Sequence, residues 1–153
     1  MARGYFRVLI AIGLGLAVAG CGLVETSAPA ATPTDFGGIA ARLASKGIDI
    51  RNAVSGDAGC SDRDLIPTAV GFDASGVDQP TPVRIHLFIF ADEAAFERRR
   101  DQLPGCARSF VTDPQTYEEV EESPYIAAGQ GPWAAGFEAA LRAALASGAQ
   151  PSG

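Results

Sequence analysis

The sequence predicts an α+β domain: an antiparallel sheet of four to five strands with about three helices packed on it, in two layers. Three observations predict it. Val83 to Phe90 alternates, with Val83, Ile85, Leu87 and Ile89 on one side and Arg84, His86, Phe88 and Phe90 on the other. Trp133, Phe137, Leu141, Ala144 and Leu145 recur at helical spacing, with Glu138 and Arg142 outside that stripe. Shorter alternating segments, bounded by Gly, Pro, Asp and Ser, supply the remaining strands.

Taken in order, Asp35 caps a first helix whose Phe36, Ile39, Ala40 and Leu43 share one face, and Gly47 closes it. Ile48, Ile50, Asn52 and Val54 alternate as a strand leading into the Gly-rich turn around Cys60. Thr68, Val70 and Phe72 form a second strand, and Asp73-Ala74-Ser75-Gly76 reads as the turn that ends it. Val83–Phe90 is half-buried at its start and buried on both faces at its aromatic end, which marks a central strand. Asp92 caps a middle helix with Ala95, Phe96, Arg99 and Leu103 on one stripe, stopping before Pro104. Phe110-Val111 opens a further strand. Tyr117–Glu122 and Tyr125–Ala128 pair as a hairpin around Ser123-Pro124, with a helical turn as the alternative for the first segment.

The N-terminus follows another logic. Arg3 and Arg7 lead into an uncharged apolar run, Val8 to Ala19, of 12 residues. As a helix that run spans about 18 Å, whereas a bilayer core of about 30 Å asks for nearer 20 residues. Its length and small-residue end are those of a signal peptide. Val18-Ala19-Gly20-Cys21 resembles the lipobox of bacterial lipoproteins. The resemblance covers residues 1–21 and implies cleavage between Gly20 and Cys21. It also implies a thioether-linked diacylglycerol on Cys21, an acyl chain such as palmitate on the new amino group, and a place on the extracytoplasmic face of the cell membrane. Two acyl chains anchor stably, at about 0.8 kcal/mol per buried CH₂. The competing reading extends the run through Val24, 17 residues in all, as an uncleaved anchor with Cys21 unmodified. The chain then divides into a signal peptide (1–20), lipidated Cys21 with a Pro-containing tether (21–34), one globular domain (35–147) and a disordered tail (148–153).

Charge and cysteines depend on that division. The whole chain has a net charge of −6; without Arg3 and Arg7, 10 basic side chains face 18 acidic ones, a net of −8. That sign argues against nucleic acid as a partner and against an electrostatic grip on anionic headgroups, so the membrane is a partner through the lipid anchor alone. With Cys21 lipidated, Cys60 and Cys106 form an even pair in an oxidising compartment, and a disulfide is the expected state. Closing that loop contributes roughly 4 kcal/mol through the unfolded chain. A thiol or metal site is the competing reading. With His86 the only histidine, two Cys and one His fall short of a tetrahedral zinc set unless a carboxylate joins.

Four groups of residues carry candidate chemistry. His86 has the side chain of a general base, yet no nucleophile motif accompanies it; a lone strand histidine is otherwise a surface or edge residue satisfied by a neighbour. Arg98-Arg99-Arg100 fans around its helix between Glu97 and Asp101, as solvated, partly ion-paired surface. Glu118-Glu119-Val120-Glu121-Glu122, near Asp113, is the candidate for a divalent cation. If extended, Glu118 and Glu122 share the face of Val120, and Glu119 and Glu121 take the other. The spacing of a calcium loop is missing, and an acidic edge that discourages strand pairing is the simpler reading. Ala128-Gly129-Gln130-Gly131-Pro132-Trp133 is the candidate ligand loop. Its glycines let N–H groups converge at a helix N-terminus, Gln130 and Trp133 frame the space, and Pro132 fits the first helical turn. The plainer reading is a tight strand-to-helix connection over Trp133 as a core anchor.

The sequence assigns no catalytic residue, no metal ligand and no cofactor. It favours a non-catalytic, lipid-anchored module of the cell envelope that binds an envelope protein, a cell-wall component or a small ligand. The alternative is a small envelope hydrolase or metal-dependent enzyme using His86 with carboxylates. A purely structural surface lipoprotein is a third reading.

Overall fold

The computed structural model describes residues 36–149. The lipobox, Cys21, the tether and the Asp35 cap, like the tail from Gln150 onward, lie outside the described residues. Helix α1 (Phe36–Ser45) buries Ile39 and Leu43, and Gly47, at φ +82°, turns the chain out of it. Then come β1 (Ile48–Ser55), β2 (Ala69–Gly76), β3 (Gln79–Ile89), α2 (Glu93–Arg99), α3 (Leu103–Ala107), β4 (Tyr117–Glu122), β5 (Tyr125–Gln130) and α4 (Ala135–Ala149). The five strands make one antiparallel sheet in the order β1-β2-β3-β5-β4, so β3 is central and β1 and β4 are the edges. This is the α+β class that the alternation and the helical stripe predict.

Helices α1 and α4 cover one face of the sheet. Ile39 and Leu43 of α1, and Phe137, Leu141, Ala144 and Leu145 of α4, meet Phe72, Ile85, Leu87, Ile89 and Val120. Burying each large side chain contributes roughly 1.5–3 kcal/mol. Arg142 lies outside this core, 3.1 Å from Glu138 and 3.4 Å from Glu122. Smaller pieces cover part of the opposite face: the β1–β2 connection with α2 and α3. There Leu65, Phe88, Phe90, Phe96, Leu103 and Ile126 pack together. Cys60 in the connection and Cys106 in α3 stand at disulfide-bonding positions, with Cα atoms 5.4 Å apart.

Several local expectations change. In β1 the alternation breaks after Arg51, because a bulge sets Arg51 opposite Asp73 but Val54 opposite Gly71. Asn52, at φ +52°, occupies that bulge, and Val54 is left exposed on the face opposite Ile50. Asp73-Ala74-Ser75-Gly76 is strand, not turn. Asp73 pairs with Arg84 and buried Ala74 with Val83, so ladder and burial outweigh turn-like composition. The hairpin instead turns at Val77-Asp78, with Val77 at φ +56°, a strained position for a β-branched residue.

That turn sends Asp78 and Gln79 to the start of α4. The Asp78 carboxylate accepts from Gly136 N at 2.9 Å and Phe137 N at 2.8 Å, and Gln79 Oε1 accepts from Ala134 N at 2.9 Å. Asp92 caps α2 as expected, accepting from Ala95 N at 2.7 Å. Pro104 does not stop the middle helical region. After a 3₁₀ turn, Arg100–Gln102, it sits in the first turn of α3, where its missing N–H costs nothing. Phe110-Val111 forms no strand: both N–H groups donate back to Ala107 O, at 3.1 and 2.8 Å. Helix α4 continues through Gly148 and Ala149, residues assigned above to the tail; Tyr125 donates its hydroxyl to Gly148 O at 3.1 Å. Among the described residues no helix is long and apolar enough to cross a membrane.

Candidate functional site

His86 is neither a surface nor an edge residue. It sits on β3 with 4% of its surface exposed, the only polar residue in the buried set among the described residues. Its Nδ1 lies 3.1 Å from Asp57 O, and a carbonyl only accepts, so Nδ1 carries the proton. Nε2 lies beneath Gly59, where a Cβ would come within 2.7 Å of it, and the Phe110 ring packs on the imidazole at a centroid distance of 4.4 Å. Burial lowers the His86 pKa, against the pull of Asp57, so the ring is neutral at neutral pH.

The neighbouring groups form a charged lattice. Arg84 donates to the carboxylates of Asp57 and Asp73, the latter at 3.1 Å, and to Asn52 O at 3.2 Å. Asn52 Nδ2 donates to Asp73 at 2.7 Å, and Gly59 N donates to Asp57 Oδ1 at 3.0 Å. Burial works to raise the Asp57 pKa, but the Arg84 and Gly59 donors and nearby positive charge outweigh it and hold it below 3.8. Gly71 makes room: a Cβ there would stand 2.6 Å from Asp57 Cγ and 2.8 Å from Arg84 Nη2. Two strands thereby pin the connection that carries Cys60. The Arg84 and Asn52 side chains and Gly59 N thus hold Asp57 and Asp73 in place, and the arrangement fastens the β1–β2 connection to the sheet.

The acidic strand is β4, and its faces divide as the alternation predicts. Val120 enters the α1–α4 core, Glu122 pairs with Arg142, and Glu121 on the other face pairs with Arg100 at 3.1 Å. The Tyr117 hydroxyl donates to Glu119. Burial raises both pKa values, and Glu121 adds to the effect on Glu119. The arginine run divides too: Arg99 meets Asp64 at 2.7 Å, and Arg100 meets Glu121 and lies over the Phe96 ring. No cluster of His, Cys, Asp and Glu fit to hold a metal ion occurs among the described residues.

The Gly129–Trp133 loop has protein partners except at Trp133 Nε1, which is buried without a hydrogen-bond partner among the described residues. The N–H groups at the start of α4 are taken by Asp78 and Gln79, and Trp133 is buried against Phe137. Pro132 precedes α4 instead of lying in its first turn. Gln130 Oε1 accepts from Thr112 N and Oγ1, at 3.0 and 2.9 Å, and Gly131 N donates to Thr116 O at 2.6 Å. The loop therefore ties down residues 112–116.

That tied segment walls a hollow the sequence reading missed. Pro104, Ala107, Arg108, Val111, Pro114 and Tyr117 enclose about 320 Å³ between α3, the following turns and the start of β4. A wider polar hollow of about 570 Å³ adjoins it, lined in part by Ser61, Asp62, Asp101, Gln102 and Ser109. Pro104 and Arg108 line both. The first hollow has mainly apolar walls, two rigid prolines, the Tyr117 ring and a single charged side chain, Arg108. Its residues sit on separate short elements, so periodicity gave no sign of it. Gly71, alone inside an alternating strand, was the one legible hint of the lattice, since such a glycine marks a close approach. No protein-family model matches the chain, and no curated protein or solved structure matches it either.

Proposed function

We propose that the protein is a lipid-anchored extracytoplasmic module of the cell envelope that binds a small ligand without transforming it. The observation that carries the binding half is the apolar hollow at Pro104–Tyr117, whose volume of about 320 Å³ lies within the range of small-molecule sites. The anchoring half rests on Val18-Ala19-Gly20-Cys21. Acyl chains on Cys21 hold the acidic domain at the membrane, and the tether gives it reach.

Each half has its own test. Cys21→Ser should abolish acylation and release the protein from the membrane fraction; unchanged partitioning would favour the uncleaved anchor. For binding, the full chain in lipid nanodiscs is screened against small soluble fragments, with empty nanodiscs as the blank. Ala107→Phe fills the hollow and should abolish binding while the thermal midpoint stays within a few degrees. Fragments that bind the filled variant equally well would move the site elsewhere.

A further inference from the structure

We infer that the hollow selects a small monocarboxylate with an apolar body, its carboxylate seated on Arg108; this deepens, and rests on, the binding reading above. The argument begins with position. Arg108 follows the C-terminal end of α3 and lines both the apolar hollow and the polar one, so the residue stands where the two meet. An amphiphile that puts its apolar body between Ala107, Val111 and Tyr117 leaves its head group at that boundary.

Charge then selects the head. Arg51, Arg84, Arg99, Arg100 and Arg142 each hold a carboxylate of the protein within 4.0 Å; among the described residues Arg42, Arg63, Arg98 and Arg108 hold none, and of these Arg108 alone lines the hollow. Two acids, Asp62 and Asp101, line the polar hollow; Asp62 accepts from Asp64 N at 2.8 Å and Leu65 N at 3.2 Å, and neither acid lines the apolar hollow or pairs with Arg108 within 4.0 Å. Glu119 stands behind the Tyr117 hydroxyl and is no part of the lining. A planar guanidinium fits a carboxylate with two parallel hydrogen bonds. One such cation in an acidic domain suits a monoanion and gives a dianion too little compensation.

The test compares phenylacetate, phenylbutyrate, phenylbutanamide and phenylbutylamine by calorimetry on the full chain in nanodiscs, with empty nanodiscs as the blank. Phenylbutyrate should bind about fifteenfold more tightly than phenylacetate, at about fourfold per buried methylene. The amide should bind roughly two- to fivefold more weakly than the acid, as expected for a partly exposed ion pair, and added salt should narrow the gap. Arg108→Gln should erase the difference between acid and amide while leaving amide binding in place. Equal binding of acid and amide by the unaltered protein, or tighter binding of the amine, would overturn the carboxylate inference and leave the hollow as a ligand site. Binding by none of the four, or binding indifferent to Ala107→Phe, would remove the binding reading itself.

Discussion

Both faces of the sheet are packed by apolar side chains, but only one adds a disulfide pair and a charged lattice. Against α1 and α4 the buried side chains are apolar or aromatic and form one continuous core, from Ile39 to Leu145. The other face is assembled from short pieces: α2 has 7 residues, α3 has 5, and the β1–β2 connection adds only a 3₁₀ turn, Ile66–Thr68. Helices that short do not persist alone. They pack through a smaller apolar cluster, Leu65, Phe88, Phe90, Phe96, Leu103 and Ile126, and are fastened further by Cys60 and Cys106, by the Asp57–Arg84–Asp73 lattice and by the His86 hydrogen bond. The apolar hollow lies among those short pieces, between α3, the turns after it and the start of β4.

The largest effect that should separate the faces is Phe137→Ala. It empties the middle of the α1–α4 core and should cost about 3–5 kcal/mol in urea unfolding, with the whole domain melting as one unit. Replacing Cys60 and Cys106 together by Ser should cost about 2–4 kcal/mol, with the loss appearing locally first. Amide hydrogens in residues 57–68 and 103–111 should exchange faster, while those of β3 and α4 follow only global unfolding. Uniform loss of protection across both faces would mean that the pieces are not separately fastened, and the contrast would fail.

This contrast also separates what the sequence made legible from what it hid. Helix α4, the alternation of β3 and the β4–β5 hairpin follow from neighbours along the chain, and they appear with shifted bounds: β3 begins at Gln79 and ends at Ile89, β5 runs on to Gln130, and α4 begins at Ala135, after Trp133. The piecewise face depends on partners far apart, such as Arg84 with Asp57, 27 residues away, and Gln130 with Thr112, 18 away. Periodicity is blind to such pairs. Composition misled at Asp73–Gly76, where cross-strand pairing overrode turn-forming residues, and at Pro104, which starts a helical turn as readily as it ends one. At Gly129–Trp133 the sequence shows a strand-to-helix connection but not its partners: nothing local shows that Asp78 reaches the N–H groups at the start of α4.

Acid should act on the piecewise face. His86 is neutral in the fold, and its pKa lies below the ordinary 6.5, so below pH 6.5 the unfolded chain takes up a proton that the native ring refuses. Stability is therefore full above pH 6.5 and falls as pH drops toward the lowered value, by at most about 1.4 kcal/mol per pH unit for one proton. Asp57 adds a second loss at lower pH, beginning near 3.8, because its native carboxyl resists protonation. Urea midpoints taken from pH 7.5 to 5 should show the first slope in the unaltered protein and lack it in His86→Gln, with Phe137→Ala retaining it. An identical slope in the His86 variant would assign the acid response to other groups.

The smallest effect tests where the two faces exchange support. Asp78 belongs to the β2–β3 hairpin yet satisfies Gly136 N and Phe137 N of α4, so Asp78→Ala should cost about 1 kcal/mol, the usual value of a lost N-cap. Val77, at φ +56°, supplies the comparison, because a β-branched side chain is strained there and a glycine is not. Val77→Gly should recover stability of roughly 0.5–1 kcal/mol if the turn keeps its shape. Combined with Asp78→Ala the same change should recover no less, since with the carboxylate gone nothing at Asp78 depends on the shape of the turn. A Val77→Gly variant that destabilises the protein as much as Asp78→Ala would instead mean that the strained turn is needed to aim the carboxylate.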